Sequence, residues 1–185
     1  MSVPDGKMRC VAMCLLLFLA VGCGGSTGRF DVVVSMDKAW LDQGALPSVE
    51  VYLVGVNISE YPNWSKMSMT TYWKEASRAD GSNPKVYIMK FGQGKPETQT
   101  LPKSDPIWKI WKEGYSQYLF VLADIPGVYV DESGDADARR LILPLDVGSW
   151  RKAKYVPVGT SVIQIDVAKP PSGVYCLNPP AGKVK

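Results

Sequence analysis

The apolar and polar positions of this chain follow two periods. Strict alternation runs through FDVVVSM (30–36), where Phe30, Val32, Val34 and Met36 share one face. It recurs in SVIQIDVAK (161–169), where Ile163, Ile165 and Val167 stand against Gln164 and Asp166. Period two in a short β-branched run is the mark of a strand with one buried face. SVEVYLVGV (48–56) sets Val49, Val51 and Leu53 on one side, and VYIMKF (86–91) is a further strand. QYLFVLAD (117–124) is apolar on both faces, which predicts a central strand. In RRLILPL (139–145), Pro144 cannot donate to a ladder, so this run belongs at an edge or ends there. VYCL (174–177) predicts a last short strand. Gly, Pro, Asn and Asp punctuate these runs, and the pattern as a whole predicts a mainly β chain folded as an antiparallel two-sheet β-sandwich.

Helical spacing intrudes twice. In SDPIWKIWKEG (104–114), Ser104 suits an N-cap, Pro106 the first turn and Gly114 the stop. Ile107, Trp108, Ile110 and Trp111 then form one stripe, read as core. NWSKMSMTTYWKEA (63–76) predicts a helix or pair of turns carrying Trp64, Met67 and Trp73, weakened by β-branched Thr70 and Thr71. These are one or two short helical insertions in a single domain expected over residues 30–185.

The first residues form a different pattern. CVAMCLLLFLAVG (10–22) is uncharged and follows Lys7 and Arg9. A spanning helix needs about 20 apolar residues, so this run has the length of a signal-peptide core instead. It ends in Ala20-Val21-Gly22-Cys23, small residues before a cysteine, which resembles a bacterial lipobox. Residues 1–22 are thus expected to be a lipoprotein signal peptide, Cys23 the acylated residue and 23–29 a short tether. Gly24, where Asp would signal inner-membrane retention, favours an outer-membrane location facing the periplasm. Cys10 and Cys14 would leave with the signal, so Cys176 would be the remaining thiol, too solitary for an internal disulfide.

Composition narrows the chemistry further. The chain contains no histidine, which excludes a Ser-His-Asp triad, a Cys-His dyad and any His-ligated metal site. A net charge of +3 on 185 residues gives no reason to expect a nucleic-acid partner. Two S-x-x-K matches, Ser82 to Lys85 and Ser149 to Lys152, lack a helix start and a following K-T-G, and read as chance. Lys90 to Lys95 hints at a phosphate loop, but Pro96 stands where Ser or Thr should be; a hairpin turn is the better account. Asp131, Glu132, Asp135 and Asp137 could ligate calcium, though a solvated hairpin loop explains them more simply. No catalytic residue, metal or cofactor is expected, and the chain does not read as an enzyme. Trp40 and Leu41, on the loop between the first two strands, either meet a partner or fold back over the core.

The order of these features resembles a known family. A lipobox precedes FDVVVSM, a loop ending at Pro47, SVEVYLVGV, a helical insertion near 63–76, then YLFVLADIPG (118–127) and the return RRLILPL. This is similar to the TssJ family, the outer-membrane lipoproteins of the type VI secretion system. The resemblance implies a transthyretin-like sandwich that anchors the secretion membrane complex. It also implies that the loop between the first two strands, here Lys38 to Leu46, grips the periplasmic domain of the inner-membrane partner TssM. The implied contact residues are Ala39, Trp40, Leu41, Asp42, Gln43 and Gly44. The stretch 91–114 and the tail from 151 depart from the family pattern. A second reading, a glycan- or envelope-binding lipoprotein, would use exposed Trp and Tyr as stacking platforms.

Overall fold

The computed structural model describes residues 27–42, 44, 46–75, 83–128, 130–151, 162–178 and 180. Residues 1–22, expected to be a signal peptide, and Cys23 lie outside the described residues. Alternation is realised directly in β1 (Asp31–Met36), whose Val32, Val34 and Met36 are buried. The remaining strands are β2 (Val49–Val56), β3 (Val86–Phe91), β4 (Thr98–Leu101), β5 (Tyr118–Ala123), β6 (Arg140–Pro144), β7 (Val162–Val167) and β8 (Val174–Cys176). They form two four-stranded sheets, ordered β4-β1-β7-β8 and β3-β2-β5-β6. The two-sheet sandwich that alternation implies is therefore the fold. One pairing is parallel: β1 runs beside β7 from Asp31↔Val162 to Met36↔Val167. A parallel neighbour needs a long crossover, and here the whole second sheet lies between the two strands in sequence.

The core fills the space between the sheets, with Val32, Val34, Ile163 and Ile165 from one and Val51, Leu53, Leu119 and Val121 from the other. The stripe on α4 (Ile107–Glu113) enters it, and Trp108 and Trp111 are fully buried. Each indole N–H is satisfied: Trp108 donates to the Pro102 carbonyl at 3.0 Å and Trp111 to that of Lys85 at 2.8 Å. Trp111 lies so close to Gly55 of β2 that any Cβ there would overlap the ring.

A second apolar cluster sits on the outer face of the β2–β5 sheet. Tyr52, Val54, Phe120, Leu122 and Ile142 point outward there. They are covered by α2 (Tyr61–Lys66) and α3 (Met69–Lys74), with Met69 and Trp73 buried. That is why β5 reads as apolar on both faces: each face has its own cover. The helical insertion is thus a pair of six-residue helices broken at Ser68, whose hydroxyl accepts from the Thr71 amide at 3.0 Å. Arg140 of β6, buried, fastens this pair by donating to the carbonyls of Ser65 and Met67.

Among the described residues four elements, one of them a 3₁₀ turn at Gly134–Ala136, have no counterpart in the sequence pattern. β4 buries only Leu101 of its four residues, too little for alternation to register. α1 (Lys38–Leu41) and α5 (Val147–Arg151) are single turns. In α5 the Ser149 amide and hydroxyl both bond to Asp146, at 2.8 and 2.6 Å, so this S-x-x-K match does stand at a helix start; Lys152 and Ser82 lie outside the described residues. The hairpin turn expected at Lys90 to Lys95 is also revised. β3 and β4 belong to different sheets, so this turn carries the chain across the sandwich, with Gly94 at φ +72°.

Candidate partner-binding end of the sandwich

The loop after β1 is held by its own backbone. The Asp37 amide donates to the Val167 carbonyl at 2.9 Å, and its Oδ1 caps α1 by accepting from the Ala39 amide at 2.8 Å. Below this cap, the Tyr175 hydroxyl donates to Asp37 Oδ2 at 3.1 Å and, more weakly, to Asp166 Oδ2 at 3.4 Å. Burial and the neighbouring Asp37 carboxylate push the Asp166 carboxyl above its usual range, despite the Tyr175 bond. Burial also raises Tyr175 to about 12, reinforced by its bond to Asp37.

The residues expected at the partner contact separate by burial. Trp40 folds back: only 8% exposed, it joins the main core, with Lys169 Nζ 5.1 Å from the ring centroid. Its indole N–H has no hydrogen-bond partner among the described residues. Leu41 is half-buried against the same core. Ala39, Asp42 and Gly44 are exposed, and Gly44 takes φ +72° as its amide closes onto Leu41. Gln43 lies outside the described residues.

Sequence reasoning did not find the other wall of this site. Leu41, Gly44 and Leu46 face Gln93, Gly94, Lys95 and Glu97 across a groove of about 350 Å³. The two walls are joined where the Met36 amide donates to the Glu97 carbonyl at 2.9 Å. The available signal was the Gly92-Gln93-Gly94 turn, but its neighbour could be known only after the sheet order. The groove sets the apolar Leu41 and Leu46 beside the charged Lys95 and Glu97, a mixed surface suited to contact.

The acidic loop is organised inward. Arg139, 3% exposed, holds Asp137 through two bonds of 2.9 Å and Asp131 Oδ1 at 2.6 Å. It also donates to Thr70 of α3 and to the carbonyls of Val128 and Val130. Asp131 additionally accepts from Ser68 and the Thr70 amide, and the Ser68 bond above all holds its carboxyl well below the usual range. Burial pushes Asp137 up, but the bonds from Arg139 and from the Glu132 amide outweigh it. Asp135 accepts from the Ile142 amide at 2.9 Å. Among the described residues no group of three or more Asp, Glu, Cys or His could hold a metal. The thiol of Cys176, half-buried, is pushed up to about 11 by burial.

The opposite end receives the chain. The Thr27 hydroxyl donates to the Ser116 carbonyl at 2.9 Å, and the Gly28 amide to that of Leu145 at 2.7 Å. β1 then runs the length of the sandwich to Asp37. Trp40, Trp73, Trp108, Trp111 and Trp150 are buried and Trp64 is half-buried, so no indole is exposed as a stacking platform.

Fold and site together define a β-sandwich that presents a loop-lined groove at one end and receives its chain at the other. No family model matches the chain, and no curated protein does. Among solved structures it resembles the Serratia marcescens Lip, a membrane-bound component of the type VI secretion system, at 13% identity and TM-score 0.47, over 82% of this chain and 98% of the other. It also resembles a type VI secretion lipoprotein, TssJ, from Pseudomonas aeruginosa, at 12% identity and TM-score 0.37, over 83% of this chain and 99% of the other. A third likeness is to a chain of the structure described as the TssM C-terminal domain from EAEC, at 11% identity and TM-score 0.42, over 80% and 94%. Among the described residues no helix is long and apolar enough to cross a membrane.

Proposed function

We propose that this chain is a non-enzymatic lipoprotein, anchored by acylated Cys23 to the periplasmic face of the outer membrane, that docks a periplasmic protein through the groove between α1 and the β3–β4 turn. The partner, on the resemblance carried by element order, is the periplasmic domain of a TssM-like inner-membrane component in a type VI secretion membrane complex. One observation supports this most. The chain enters at Thr27, at the start of β1, and the α1 loop follows the end of β1. Six residues of strand at about 3.3 Å each put some 20 Å of rigid sandwich between tether and groove. A lipid at one end therefore aims the groove away from the membrane, toward a partner across the periplasm. Loops displayed by a rigid scaffold are a usual seat of recognition.

The test uses the exposed residues and leaves buried Trp40 alone. Asp42→Lys and Lys95→Glu should abolish capture of the partner's periplasmic domain while circular dichroism stays unchanged. Undiminished capture by both would sink the groove as the docking site. Cys23→Ser should lose acylation and move the protein out of the outer-membrane fraction; an acylated, outer-membrane product would overturn the anchor.

A further inference from the structure

We infer that the face formed by Arg29, Lys109, Lys112 and Tyr115 lies against anionic phospholipid headgroups of the leaflet that holds the Cys23 lipid. The inference rests on the lipid anchor proposed above and concerns the end of the molecule opposite the groove. Thr27 and Gly28 are pinned beside the C-terminal end of α4 by their bonds to Ser116 and Leu145. Three residues lie between Cys23 and Thr27, four Cα-to-Cα steps in all. Even fully extended they reach only about 14 Å. An acylated Cys23 is fixed at the membrane surface, so the residues around Thr27 stay within one or two Debye lengths of it, about 8 Å each at physiological salt.

The surface held there has matching chemistry. Arg29, Lys109, Lys112, Glu113 and Tyr115 line one shallow concavity, three cations to a single carboxylate. The Lys109–Glu113 pair is long, at 3.8 Å, and open to solvent on both sides, so it neutralises little. Among the described residues Arg29 and Lys112 form no salt bridge. Tyr115 projects from the same rim, 81% exposed, in the left-handed region at φ 54°. An amphipathic ring among cations is the combination found at the headgroup level of membranes. A partner in the aqueous periplasm would have to enter the narrow gap left by the tether, whereas headgroups already occupy it.

The processed, acylated chain is reconstituted on phosphatidylcholine vesicles and on phosphatidylcholine vesicles containing phosphatidylglycerol. Flotation is checked, and lysines are labelled with a water-soluble amine reagent, read by peptide mass. On the anionic vesicles Lys109 and Lys112 should label roughly fivefold more slowly. Lys38 and Lys95, at the groove end, should label equally on both. About 0.5 M salt should abolish the difference, and Arg29→Gln should reduce it. Inorganic phosphate added to phosphatidylcholine vesicles should protect neither lysine; protection by phosphate alone would make this a free-anion site and overturn the membrane assignment. Flotation with equal labelling of Lys109 and Lys112 on both vesicles overturns the face while leaving the anchor standing. Failure to float overturns the anchor and the face with it.

Discussion

At the residue scale, the most consequential side chains are two adjacent arginines that alternation marked only as the start of a strand. Arg139 is buried with Asp137 and reaches Asp131, Thr70 and two carbonyls, so its guanidinium is satisfied where it is desolvated. Removing it would leave the fully buried Asp137 carboxylate without its counter-ion. Arg139→Met should therefore cost about 3–5 kcal/mol in chemical denaturation; a loss below 1 kcal/mol would contradict the network. The same network predicts a pH dependence. The Asp131 and Asp137 carboxyls are lowered on folding, so they bind fewer protons in the native state than in the unfolded one. Their contribution is complete above the unfolded value near pH 4 and is lost as pH falls through the lowered native values. Asp131→Asn should lower the Tm at neutral pH, and the gap from the parent should close as the pH is taken from about 5 toward 1. Gly55 makes the complementary case of space: Gly55→Ala forces Trp111 out of its place and should cost about 1–3 kcal/mol.

At the element scale, α1 depends on a polar anchor beneath it. Asp37 faces Asp166 through the Tyr175 hydroxyl, and all three come from different strands or strand ends of one sheet. Tyr175→Phe removes the shared donor and leaves two carboxylates facing each other. Amide exchange at Ala39 to Asp42 should accelerate, with a stability loss of about 0.5–1.5 kcal/mol; unchanged exchange would show that the backbone cap alone sets the loop. The sequence made β1 and β7 legible because they bury alternate residues, and β2 and β5 because they are apolar on both faces. It made α4 legible because Ile107, Trp108 and Trp111 bury one stripe. It could not disclose β4, where a single Leu101 is buried and Gln99 and Thr100 meet β1 through backbone pairing. Nor could it decide Trp40, since a large ring on a loop is equally compatible with a partner and with the core. Half of the groove was hidden for a topological reason. Lys95 and Glu97 lie more than fifty residues from Leu41 in sequence and meet it only because β3 and β4 change sheets.

At the scale of the whole molecule, the parallel β1–β7 pair matters most, because it fixes β1 as an interior strand, with Thr27, where the proposed tether would join, before its start and the groove at its other end. Main core and outer cluster share the β2–β5 sheet, so neither can open without exposing the other's floor. The two-ended geometry separates two properties that a tether change should split. Inserting about twelve Gly and Ser residues after Gly25 adds roughly 20 Å of root-mean-square reach for a flexible linker. The groove is untouched, so capture of the partner's periplasmic domain in solution should keep its affinity within about twofold. The Arg29–Lys112 face, no longer held within the range of the headgroup charges, should lose most of its lysine protection on anionic vesicles. Retained protection with the long tether would mean that the face binds lipid with an affinity of its own. Lost capture would mean that the tether end and the groove are coupled, against the reading of β1 as a rigid spacer between them.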